Sequence, residues 1–215
     1  MKTFSQAESD LLEQIIRHRR DVRGNRFLQK PIPEEALQKV LEAAVHAPSV
    51  GFSQPWDFVI ITHSDTKNQI KDLFSDANKE GSDSFEGKKK EQYDELKLEG
   101  IVESPINIAV FYKPSQHPVL GQTAMPEVGR YSVVCAIQNM WLMARSLNIG
   151  MGWVSILDPE KVKGILQAPK DYELIAYLCL GFVDTFYERP ELEIKEWDTR
   201  KSLQEIIHYE RYQNE

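Results

Sequence analysis

Five of the chain's ten arginines (17, 19, 20, 23 and 26) fall in one ten-residue window that reads RHRRDVRGNR. The protein as a whole is acidic, with a formal net charge of -7, so this crowding is local. A guanidinium presents a planar fork of donors that matches phosphate or carboxylate oxygens two at a time, which points to an anion site. Cations at a helix C-terminus would also be favoured by the helix dipole, and by itself the window fits either reading. Asp21 is the lone carboxylate in this basic run. It is either a surface partner for Arg23, which would contribute little, or a group with chemistry to do.

Two further stretches carry polar groups in suggestive settings. Ala47 to Trp56 reads APSVGFSQPW, and it offers Ser49, Ser53 and Gln54 as hydrogen-bonding groups in a loop broken by Pro48 and Gly51. Gly150 to Leu157 reads GMGWVSIL, with Ser155 as its lone hydroxyl. Its glycines would let a flat ligand approach the backbone closely. Several devices are missing: a GxGxxG after a strand, a GxxxxGK[ST] phosphate loop, HExxH and CxxC. The five histidines are dispersed, which argues against a metal site.

The elements that must position these residues follow from periodicity. Ser5 and Glu8 form a capping-box pattern before a stripe of Leu11, Leu12, Ile15 and Ile16. A second helix starts after Pro33 and places Leu37, Val40, Leu41, Ala44 and Val45 on one face. FVII (58–61), INIAVFY (106–112), residues 152–156 and 173–182 read as strands, and 65–77 as a surface helix. YSVVCAIQNMWLMARS (131–146) is apolar on nearly every side, so it lies buried in the core or between the core and a second subunit. Residues 79–100 are the most polar, and they are expected to be a mobile, partly helical excursion able to close over a site as a lid. The stretch 184–215 holds Trp197 and a short helix near 202–209, and it reads as an arm packed across a partner chain.

Without repeats or an interior linker, 215 residues form a single domain. The acidic balance argues against nucleic-acid binding. Cys135 and Cys179 sit in apolar runs, as buried free thiols of a reducing compartment do. No signal-like core opens the chain, and its longest apolar run cannot span a bilayer, so it is expected in the cytoplasm without membrane contact.

Taken in order, the Arg-Arg-x-x-Arg segment, the APSxxxxQPW loop and the Gly-rich strand start resemble the nitroreductase-like flavoproteins, from about Leu11 to Arg200. HRRDVR, LKLEGI, RYSVVCAIQN, GWVSILDP and AYLCLGFV look closer still to one branch of that family. That branch consumes reduced FMN and dioxygen to release 5,6-dimethylbenzimidazole, the lower ligand of cobalamin, and erythrose 4-phosphate. The resemblance implies an α+β fold, a mixed and mostly antiparallel sheet flanked by helices. It also implies a homodimer with an exchanged C-terminal arm and two FMN sites at the interface. Arg19, Arg20, Asp21, Val22 and Arg23, with Arg200, would hold phosphate and ribityl oxygens. Ser49, Ser53, Leu98, Ser155 and Ile156 would line the flavin.

Asp21 and Ser155 are the positions that the resemblance marks as catalytic in this branch. Ordinary relatives usually carry Ser or Thr at the former, and Asn where this chain has Phe52. An aspartate salt-bridged to arginine has a lowered pKa and is a weak base, so Asp21 either transfers a proton or orients the substrate. Reduced FMN would come from a separate flavin reductase or from NAD(P)H. The competing readings are an NAD(P)H-dependent nitro or flavin reductase and a non-catalytic FMN-binding protein.

Overall fold

Four strands with β-branched and aromatic runs form the centre of the molecule, here described by a computed structural model covering residues 1–212. They are β1 (Trp56–Ile61), β2 (Ile106–Tyr112), β3 (Ile149–Val154) and β4 (Glu173–Phe182), in the order β1-β2-β4-β3 with every pairing antiparallel. Every residue of β2 is buried, as a central strand covered on both faces requires. Beyond β3, Asp21 adds a parallel bridge to Met151, so the sheet is mixed at that edge.

Helices cover both faces. α1 (Gln6–His18) starts at the expected capping box of Ser5 and Glu8. α2 (Glu34–Val45) packs with α5 (Val128–Ser146), and Val40 and Ala44 meet Val133, Ala136, Ile137 and Met140 in one core cluster. On the opposite face α3 (Ser64–Asp83) and α6 (Pro159–Leu166) cover a second cluster around Ile70, Phe74, Val162 and Tyr177. The architecture is the expected α+β one.

Two expectations need correction. The segment 79–100 is not loose: α3 continues to Asp83, and α4 (Gly87–Asp94) packs back on it. Tyr93 is buried, its hydroxyl donates to Asn78 (3.0 Å), and Ser82 donates to Asp94 (2.6 Å). Polar composition hid this because a few aromatic residues suffice for so small a cap. Cys135 is exposed on α5, and only Cys179 is buried. The apolar stripe of α1 is open too, with Leu11, Leu12 and Ile16 exposed and no residue of the helix fully buried.

Candidate active site

The basic window begins where α1 stops. Arg19 caps the helix in an extended conformation, which turns the chain toward the edge of β3. The Val22 amide donates to the Met151 carbonyl (3.1 Å), and the Val22 side chain enters the core. Val22 therefore fastens this strand and has no free donor for a ligand. The two glycines of β3 serve the same approach. A Cβ on Gly150 would lie 2.5 Å from the Val183 side chain, and one on Gly152 would collide with the Val22 carbonyl oxygen. The close approach expected of a flat ligand is made by the protein's own backbone.

Arg20 also departs from expectation. Its guanidinium donates to the carbonyls of Tyr187 (2.9 Å), Arg17 (2.7 Å), Arg19 (2.6 Å) and Glu188. Those contacts staple the end of α1 to the stretch after β4 and leave little donor capacity for phosphate. Arg19 is different. It lies over the Trp141 ring at 4.6 Å and makes no ion pair among the described residues. Burial lowers its pKa, Asp21 opposes that, and Arg200 lowers it further by repulsion. Two guanidiniums that repel one another, Arg19 without an ion pair of its own among the described residues, suit a doubly charged anion.

Arg19, Arg20 and Arg200 share a cavity of about 560 Å³ with Arg17, Arg189 and Gln138, and Glu188 and Glu193 also stand on its wall. A narrower one of about 120 Å³ adjoins it, where Arg19, Asp21, Arg23 and Leu98 meet Lys97 and Leu192. Asp21 accepts from the Trp153 amide (3.0 Å) and is ion-paired to Arg23, whose other arm reaches the Trp153 carbonyl (3.3 Å). The Asp21 side chain keeps 35% of its surface, but that surface faces this small cavity. Burial therefore prevails and raises its pKa, against Arg23, the Trp153 amide and Arg19, while Glu191 adds to the rise. The expected lowering by an arginine partner is overturned, because desolvation outweighs the ion pair.

Ser155 follows the end of β3, exposed and two residues from the Trp153 amide that holds Asp21; Ile156 packs on the second core cluster. Ser49 and Ser53 lie elsewhere. The Val50 amide donates to Ser132 early on α5, whereas Trp141, nine positions on, donates to the Arg20 carbonyl. Nine residues of helix span about 13 Å. The serine loop and the arginines thus sit at opposite ends of α5 in one chain. Ser49 caps the Gln54 amide (3.1 Å), and the Ser53 hydroxyl is buried with no partner. Phe52 and Gln54 hold positive φ (55° and 47°), a strained arrangement in keeping with a ligand-binding loop.

Lys97 was missed although its motif was noticed, since LKLEG signals only that the stretch is unusual. Lys97 bridges Glu99 (2.5 Å) and Glu103 (2.6 Å), and the fully buried Glu99 also pairs with Lys71 (2.7 Å). Together these pairs fix the wall that carries Leu98. Among the described residues no cluster could hold a metal ion, and no helix is long and apolar enough to cross a membrane.

Residues 16–182 match the family model described as Nitroreductase family. The chain is 40% identical over 200 residues to a 5,6-dimethylbenzimidazole synthase of Rhodospirillum rubrum, covering 92% of this chain and 94% of that protein. It is 34% identical to a protein of the same name from Rhodobacter capsulatus, over 90% of this chain and 94% of the relative. The crystal structure of oxidized iodotyrosine deiodinase bound to FMN and 3-iodo-L-tyrosine superposes with a TM-score of 0.74 at 24% identity, covering 94% of this chain and 100% of that one, a likeness of fold. With its sheet, its arginine-bearing strand and its sequence all in agreement, the chain belongs to the nitroreductase family.

Proposed function

We propose that the protein fragments reduced FMN with dioxygen to 5,6-dimethylbenzimidazole and erythrose 4-phosphate, acting as a homodimer. The observation that carries this reading is Asp21, a carboxylate of raised pKa in a narrow cavity beside an arginine-lined one. Two relatives named for that synthase, each matching nine-tenths or more of the chain, support it.

The residues present fit FMN as a substrate. Arg19 and Arg200 would take the phosphate, and Arg23 would reach ribityl oxygens. Leu98, Ser155 and Ile156 would border the flavin ring, and a second copy's Ser49 and Ser53 would complete it. Bound reduced FMN supplies the electrons for dioxygen and the carbon skeleton of the product. Asp21, its pKa raised by burial, is a stronger proton acceptor than an ordinary aspartate, and the Trp153 amide and Arg23 hold it in place. Ser155 supplies a hydroxyl on the same side. Leu96, Leu98 and Leu192 give this cavity an apolar wall that limits water around Asp21. The reducing equivalents come from a separate flavin reductase or NAD(P)H, and both free cysteines suit a reducing cytoplasm.

The second subunit is motivated by the divided site and by exposed apolar groups. These are Leu11, Leu12 and Ile16 on α1, Tyr131 and Val134 on α5, and Leu203 and Ile206 in the tail. One aerobic turnover of enzyme-bound reduced FMN tests the function. Dimethylbenzimidazole is the expected product. Reoxidised, intact FMN with NAD(P)H consumed would make the protein a reductase, and intact flavin with no NAD(P)H consumed would make it a carrier.

A further inference from the structure

The stretch after β4 is tied to the body until Trp197 and then released. The Trp197 amide donates to Leu192 (2.8 Å), and Lys89 donates to the Trp197 carbonyl (2.8 Å) while lying 4.2 Å above its ring. The ring is half-buried against the cap, 5.4 Å edge-on from Phe85 and 6.3 Å from Tyr93. Beyond it, every hydrogen bond of residues 198–212 among the described residues stays within that stretch. Arg200, three residues on, makes no hydrogen bond or ion pair of its own there, yet it lines the arginine cavity with Arg19. Three residues reach about 10 Å at full extension, so the Trp197 anchor limits how far Arg200 can stray from the cavity it lines.

We propose that Trp197 is a positioning residue: seated on Phe85, Lys89 and Tyr93, it holds Arg200 at the arginine cavity and makes the cap and the tail one unit. A cap that shifts carries the tryptophan with it, and Arg200 follows. Movement of the cap and the grip on phosphate are then coupled. This inference rests on the reading that the arginine cavity takes the phosphate of FMN.

The experiment measures anaerobic dissociation constants of the full chain for reduced FMN and reduced riboflavin. The unaltered protein is expected to prefer FMN by roughly tenfold or more, as charge-assisted contacts to phosphate require. Equal affinities would refute the phosphate reading itself, independently of Trp197. Given that preference, Trp197→Ala should lose most of it with riboflavin affinity unchanged, and Trp197→Phe should keep it. Phe85→Ala, which removes the other side of the cage, should lower the preference too. The double variant of Trp197→Ala and Arg200→Ala should bind FMN no more weakly than Arg200→Ala alone. A Trp197→Ala protein with full preference, additive losses in the double variant, or equal loss of both flavins would each overturn the proposal.

Discussion

Arg20 spends four contacts on backbone carbonyls, while Arg19, one residue earlier, spends none and lies over Trp141. Arg19→Ala should therefore weaken reduced-FMN binding about tenfold with little change in melting temperature. Arg20→Ala should cost about 1.5 to 3 kcal/mol of stability, because it removes the charge-assisted bonds that tie the end of α1 to residues 187 and 188. Calorimetry beside flavin titration separates the two, and equal effects of both variants would defeat the distinction. Counting arginines in a sequence cannot make it, since two of the four carbonyls that occupy Arg20 come from residues 187 and 188, far along the chain. Asp21 teaches the same lesson in reverse. Its arginine partner was legible in sequence, but the small cavity that reverses its pKa shift was not. The carboxylate forms only above the ordinary aspartate range near 3.9, so product formation should fall as pH drops through a value higher than that. Asp21→Asn should bind reduced FMN normally and yield little or no dimethylbenzimidazole at any pH. Full yield from this variant would remove the carboxylate from the chemistry.

At the scale of elements, apolar periodicity located α1, α2, α5 and all four strands. It could not tell which apolar face is covered by the chain itself. The stripe of α1 and the outer face of α5 have the pattern of buried surfaces and are open in one chain. The cap was misread for a related reason, since composition averages over residues and a few aromatics anchor it. As a lid, the cap should show slower amide exchange over 84–94 when reduced FMN is added, and unchanged exchange would deny it that role. β4 carries a separate expectation. Burial pushes the Cys179 thiol up to about 12. The unfolded thiol ionises near 8.5, so the folded chain holds its proton longer and stability is lost as pH rises from about 8.5 toward 12. Thermal melts between pH 8 and 11 should show this decline, and Cys179→Ala should have a shallower one. An identical slope in both proteins would place the effect elsewhere, for instance in Tyr177, whose pKa burial also raises.

For the whole molecule, the separation of the Ser49–Ser53 loop from the arginine window along α5 makes a prediction that one chain cannot mimic. A dimer mixed from an Arg19→Ala chain and a Ser53→Asp chain contains one site built from two unaltered halves. With reduced FMN kept well below the dissociation constant of the Arg19→Ala protein, each variant alone should show little activity, and the mixture should regain a substantial fraction of it. No recovery would mean that both halves serve the same chain's site. Val134→Glu, on the exposed face of α5, should yield monomers by sedimentation and abolish flavin binding as well.

That division also has a consequence for how the protein behaves at low abundance. When chains are scarce relative to their dimer dissociation constant, the concentration of working sites grows as the square of chain concentration. With the proposed shared site, a newly made, solitary chain would be harmless to the flavin that other enzymes depend on, and destruction of that flavin would begin only once enough chains have met. Assembly would then act as a threshold on a reaction that consumes a shared resource.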